Sequence, residues 1–151
     1  MKIDKNYKGL IDEVWRYKIE GNIETVEGLE IDLDKSLYVT GSIKAGVSIK
    51  AGESIKAGGS IKAGESSGIV AGLSITCKTT LSFGLRLFAG VCSWREIDYS
   101  DKTVTCGKLE NGTIEYGILK ELGLPNEDKV EDRTEEAIKL LKDKGYKIVK
   151  E

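Results

Sequence analysis

The chain contains no histidine in 151 residues. That removes the side chain best suited to general-base work near neutral pH and the commonest metal ligand, so histidine-dependent acyl transfer and most zinc chemistry are excluded at the outset. Three cysteines, Cys77, Cys92 and Cys106, form an odd set with no close pair. This argues against a disulfide framework and against a CxxC metal site, and reduced structural thiols are expected. No apolar run approaches the ~20 residues of a membrane span. The opening MKIDKNYKGL carries charges where a signal peptide would be apolar. A cytoplasmic location without a membrane partner is the resulting expectation. No GxxxxGK[ST] or GxGxxG pattern precedes a helix, so no phosphate cradle is legible.

Glycine is abundant, with 18 residues against a single proline, and much of it is periodic. Gly41 to Gly64 reads as four hexads in which Ser-Ile-Lys-Ala-Gly recurs, with Ile at 43, 49, 55 and 61. Hexapeptide periodicity is a parallel β-helix signature. Ile and Ala, two apart, share one face of a strand, while Ser and Lys take the other, so Ile and Ala point inward. Glycine beside the variable residue marks a corner. Three six-residue sides then make a triangular coil of roughly eighteen residues that rises ~4.8 Å. The hexad traces back through Leu37/Val39 and Ile31/Leu33. After a two-residue slip in GESSG it runs forward through Ile69/Ala71, Ile75/Cys77, Leu81/Phe83 and Leu87/Ala89. The expected fold is mainly β: a short triangular β-solenoid of about three coils, with a meander of short hairpins as the rival arrangement.

Three segments follow from this pattern. Residues 1–22 form an N-terminal capping segment, in which Leu10, Ile11, Val14 and Trp15 predict a short amphipathic helix over 6–17. Residues 23–93 form the repeat body. Residues 94–151 hold a β-hairpin about Asn111-Gly112, or a further coil, and then a helix over 134–144 capped by Thr134. Terminal covers of this kind shield open strand edges, which predicts a monomer or a small closed oligomer.

Stacking every third side gives three outward columns. One holds Asp32, Lys50, Val70 and Phe88; a second holds Tyr38, Lys56 and Thr76; the third holds Lys44, Lys62 and Ser82. The four hexad lysines are thus dispersed, without interleaved aromatics, which argues against direct nucleic-acid binding. Val70 and Phe88 are apolar where other sides show Lys, Thr or Ser, so either the C-terminal segment or a partner covers them. With Trp94, placed as a plug at the second open end, they are the candidate partner-binding centre. The acidic cluster Glu127, Asp128, Glu131 and Asp132 is the candidate for electrostatic steering. No catalytic, metal or cofactor residues are assigned, and a non-enzymatic binding role is expected.

In period, the chain resembles hexapeptide-repeat acyltransferases, but it lacks their histidine. In corner chemistry, residues 31–89 resemble bactofilins, small β-helical proteins that polymerise end to end. The runs LEIDLDKSLYVTGSIKAG and LSITCKTTLSFGLRLFAGVCSWR resemble small repeat proteins of phages and prophages. That resemblance implies an anti-defence inhibitor of the anti-CRISPR kind, whose partner is a host protein or ribonucleoprotein complex such as a Cas9-type effector. The bactofilin resemblance implies a self-assembling scaffold instead.

Overall fold

The computed structural model describes residues 1–92 and 96–123. Each hexad leaves only two to four extended residues between corners, and the strands are correspondingly short. In chain order they are β1 (Lys2–Ile3), β2 (Ile11–Asp12), β3 (Arg16–Ile19), β4 (Ile23–Thr25), β5 (Leu29–Ile31), β6 (Ser36–Val39), β7 (Ile43–Ala45), β8 (Ile49–Ala51), β9 (Ile55–Ala57), β10 (Ile61–Lys62), β11 (Ile69–Ala71) and β12 (Ile75–Cys77). Four more follow: β13 (Thr80–Ala89), β14 (Thr103–Cys106), β15 (Lys108–Tyr116) and β16 (Ile118–Glu121). A single 3-10 turn at Ser100–Lys102 is the only helical element among the described residues.

The strands fall into three stacks through which the chain passes in turn. The first contains β1, β5, β8, β11 and the second half of β13; the third contains β4, β7, β10 and the first half of β13. Because β13 runs through both, and β15 pairs along it, these two stacks form one nine-stranded sheet. The second stack, β3, β6, β9, β12, β14 and β16, joins β2 in a sheet of seven. Every pairing is parallel except that of β2 with β3. The result is a mainly β molecule with curled parallel sheets, compatible with a β-helix.

The register places like on like. Ile55 pairs with Leu37 and with Ile75, and Ile49 with Leu29 and with Ile69. All of these inward residues are at most 2% exposed, and the paired Ala51, Ala57 and Ala71 are buried beside them. Each fully buried aliphatic side chain contributes roughly 1.5–3 kcal/mol, so the Ile ladder is the main stabilising feature. Its small Ala partners let the strands of the three stacks approach. Leu33, Val39 and Phe83, the larger inward groups expected toward the ends, are buried as well.

The N-terminal segment differs from the expected helix. Tyr17 and Ile19 alternate inward and pair with Leu37 and Val39, which joins β3 to the stack. Long-range burial at period two thus outweighs a local 3.6-residue stripe. The chain reverses between β2 and β3 in a tight turn, closed by the Glu13 amide donating to the Arg16 carbonyl (2.9 Å) and by the Arg16–Glu13 ion pair (2.8 Å). Val14 and Trp15 stand at its tip, 80% and 87% exposed, so they cover nothing among the described residues.

Two further expectations change. Glu30, and not Asp32, pairs with Lys50, because the coil there takes 20 residues; Asp32 instead makes an ion pair with Lys2 at 3.6 Å. Residues 102–120 do not form a hairpin but extend the parallel sheets, with β14 and β16 parallel to each other and β15 parallel to β13. Asn111 and Gly112 lie inside β15. Gly112 has φ +113° and packs on the Phe83 ring, where any Cβ would clash. What reads as a turn dipeptide is therefore the bend of a long strand over a large core residue. Trp94, the 134–144 helix and the acidic residues Glu127, Asp128, Glu131 and Asp132 lie outside the described residues.

Candidate interaction surface

Period-two alternation turns one residue of each first-stack strand outward. Along the axis this column reads Glu30, Lys50, Val70, Phe88 and Tyr116. It therefore passes from charged to apolar and aromatic as it leaves the hexads. Val70 and Phe88 are neighbours in register, as the sequence indicated, and both are half-buried. The structure adds Tyr116, 46% exposed, and Leu85, 58% exposed. Neither was legible from the hexad phase, because Tyr116 follows the bend in β15 and Leu85 occupies a corner.

Two shallow clefts meet at Phe88. One, of about 240 Å³, runs between Ser48, Val70, Leu85 and Arg86. The other, of about 530 Å³, runs between Gly90, Val91, Glu115 and Tyr116. The Arg86–Glu115 ion pair (3.4 Å) borders both. An aromatic flanked by clefts and rimmed by charge has the anatomy of an interface centre. Within the C-terminal segment, Asn111 and Gly112 pair alongside Ser82 in the third stack and do not cover Val70 or Phe88.

The second stack presents a different face. Its outward column is Lys18, Tyr38, Lys56, Thr76, Thr105 and Lys120, with no carboxylate. Arg16 and Lys56 lie over the Tyr38 ring, 4.4 and 5.5 Å from its centre. Sequence periodicity dispersed the four hexad lysines, and they are dispersed, with Lys50 on the first stack, Lys56 on the second, and Lys44 and Lys62 together on the third. It could not show that Lys18 and Lys120 join the column of Lys56, because their strands lack the hexad. Beside this column a groove of about 510 Å³ follows the corner after the second stack.

The two buried thiols are shielded from reaction. Cys77 and Cys106 are buried in the second stack, and Cys77 Sγ donates to the Thr80 carbonyl at 3.5 Å. Burial, with a smaller repulsion from Cys106, pushes the Cys77 thiol up to about 12. Burial, with a smaller repulsion from Glu121, pushes that of Cys106 up to about 11. Both stay protonated near neutral pH and are poor nucleophiles. Among the described residues no three His, Cys, Asp or Glu side chains are placed to hold a metal ion, and no helix is long and apolar enough to cross a membrane.

No protein-family model matches the chain, and no curated protein or solved structure is significantly similar to it.

Proposed function

We propose that the curled parallel sheet is a triangular β-solenoid that works as a non-enzymatic protein-binding module, with Phe88 at the centre of its docking face. The observation that carries this reading is the contiguous column Val70, Phe88 and Tyr116 with Leu85 beside it, on a molecule whose other outward columns are hydroxyl-bearing or charged. Large apolar groups held half-exposed on a rigid sheet bind with little loss of side-chain freedom, which suits them as anchors. The resemblance of residues 29–46 and 73–95 to phage and prophage repeat proteins supplies the partner class, a host nucleic-acid-handling defence complex with a Cas9-type effector as the first to test. In that role the protein acts in the cytoplasm as an inhibitor. DNA cleavage by such an effector, titrated with the intact chain and with Phe88→Asp, is the test. Inhibition by the former and its loss in a variant that stays folded at the assay temperature support the reading. Unimpaired cleavage at saturating protein removes this partner.

A second reading, a self-assembling scaffold like the bactofilins, draws on a different observation. At the N-terminal end the second stack closes on the antiparallel strand β2, a poor template for parallel addition, whereas β15 and β16 end the parallel stacks with no further described strand. Light scattering across a concentration series separates the two: growing fibres favour the scaffold, and a constant mass favours the discrete binding module.

A further inference from the structure

The groove beside the second stack is the largest feature that the docking face leaves unused, and its lining carries charge of one sign. Lys56 and Lys78 are its only charged lining residues, both exposed, and neither makes an ion pair among the described residues. The outward column alongside holds no carboxylate, whereas Glu30 and Glu24 stand in the columns of the other two stacks. Glu20, just after β3, and Glu121, in β16, are engaged, the former with Lys18 at 3.8 Å and the latter accepting from the Leu109 amide at 2.8 Å. On a chain of net charge −2, such a groove is complementary to an anion.

Its shape and chemistry narrow the choice of anion. The groove runs from Tyr38 past Lys56, Thr76 and Thr105 to Leu122. From the Tyr38 row to the Lys120 row there are four strand spacings, or roughly 19 Å at ~4.8 Å each. About six extended residues have that length. Positive charge is confined to the middle, with Lys56 in the row after Tyr38 and Lys78 at the corner of the row after that. The ends are Tyr38 and the exposed Leu122. A nucleic-acid strand would need cations along its whole length and a bare aromatic face for its bases, yet the Tyr38 ring already has Arg16 and Lys56 over it at 4.4 and 5.5 Å. Backbone pairing with an incoming strand is also closed to the corner amides of Gly58, Lys78, Gly107 and Gly123, which donate to carbonyls of neighbouring coils. Recognition therefore falls to side chains.

We propose that this groove binds an extended acidic segment of a protein partner, about six residues long, whose central carboxylates face Lys56 and Lys78 and whose apolar ends rest on Tyr38 and Leu122. The half-buried Thr76 and Thr105 supply hydroxyl donors between those ends. The site lies on a different stack from Phe88 and does not depend on the docking role of that residue.

Chemical-shift titration of the full chain with the peptide acetyl-Leu-Ala-Glu-Glu-Ala-Leu-amide tests it, with the same peptide carrying Gln in place of both Glu as the control. At low salt the acidic peptide should saturate with a Kd below about 1 mM, and the control should bind at least about fivefold more weakly. Addition of about 0.5 M salt should erase that difference. The double substitution Lys56→Gln and Lys78→Gln should weaken the acidic peptide about fivefold, whereas Lys44→Gln and Lys62→Gln, on the third stack, should leave its affinity unchanged. No saturable binding, or equal affinity in the Lys56 and Lys78 variant, overturns the proposal. Tighter binding of hexathymidylate through the same two lysines overturns it in favour of nucleic acid, and groove shifts that follow protein concentration without peptide overturn it in favour of a second copy.

Discussion

The hexad strands β7 to β10 and the later strands β13 and β15 accomplish the same winding by different means. In the hexads every position has one role, Ile and Ala inward and Ser and Lys outward, and each corner resembles the next. In β13 and β15 the chain crosses two stacks without a break, carries Phe83 in place of Ala, and needs Gly112 to clear its ring. Uniform repeats give a stiff shaft whose outward lysines are soluble and poorly specifying. Distinct outward groups, Val70, Leu85, Phe88 and Tyr116, appear only after the four uniform Ser-Ile-Lys-Ala-Gly hexads end. Repetition thus gives uniform outward columns, and the proposed docking face lies where that uniformity is lost.

The largest effect should come from breaking the regular core. Ile55 is 1% exposed and pairs with Leu37 and Ile75, so Ile55→Asp buries an unpaired carboxylate and should cost several kcal/mol, enough to unfold a domain of ordinary stability. Its neighbour Lys56 is exposed, and Lys56→Asp should stay within about 1 kcal/mol. Thermal melting of the two variants decides the matter, and comparable losses would contradict the observed register.

The irregular region should respond next most strongly, and at two separable levels. Phe83, 1% exposed beneath Gly112, leaves a cavity when replaced by alanine and should cost ~3–5 kcal/mol. Phe88 is half-buried, and Phe88→Ala should cost on the order of 1–2 kcal/mol and, under the proposed docking role, abolish partner binding. A Phe88→Ala loss as large as that of Phe83→Ala would show that the former is a core residue, and would collapse the distinction between shaft and docking face.

Corners sharpen the comparison further. Gly58 has no room for a Cβ against the Thr40 carbonyl, whereas Gly52 has nothing within 4 Å of that position. Both end a Ser-Ile-Lys-Ala-Gly hexad, and neither has positive φ. Gly58→Ala should lower stability by about 1–3 kcal/mol, and Gly52→Ala should be neutral or slightly stabilising through the unfolded chain. Denaturant midpoints of the two variants measure the difference.

These corners also show how far the sequence could be read. Period two inside each hexad identified the inward residues from Ile43 to Ala89, and the phase slip at GESSG was visible because the Ile spacing changed from six to eight. Identical hexads could not reveal which corner glycines are sterically required, since that depends on which carbonyl of the preceding coil lies opposite. Nor could they place β3 or β16 on the second stack, because those strands share no hexad and are positioned by pairing alone. The stripe Leu10, Ile11, Val14 and Trp15 misled for a related reason: it measures local periodicity, whereas the burial of Tyr17 and Ile19 against Leu37 and Val39 is long-range. The apolar pair Val70 and Phe88 was legible because it interrupts an outward column. Tyr116 was not, because the bend of β15 at Gly112 shifts the register in between.

The smallest predicted effect concerns the first coil, where charge replaces repetition as the local organiser. The Tyr17 hydroxyl donates to Asp34 at 2.9 Å, and the Lys5 ammonium lies 3.2 Å from the same carboxylate. The hydrogen bond from Tyr17, then that from Lys5, holds the Asp34 carboxyl below the usual aspartate range. The same contact, acting chiefly through the bond to Asp34, raises Tyr17 and Lys5 above their ordinary values. The two shifts act at opposite ends of the pH scale. A depressed carboxylate stabilises the fold above its unfolded value and loses that contribution as pH falls through its folded value. The raised Tyr17 and Lys5 contribute below their unfolded values, and that contribution is lost as pH rises through their folded ones. Stability should therefore be flat through neutrality and decline at both extremes, by little at each, because Lys5 and Asp34 are largely open to solvent and screened. Asp34→Asn should remove both declines to the extent that they arise here, flattening the melting temperature below about pH 4 and above about pH 10 relative to the unaltered chain. An unaltered chain and variant with parallel pH profiles would show that the first coil is held by its pairing with β6 alone, as the hexads are held by theirs, and that its charges are only a soluble surface.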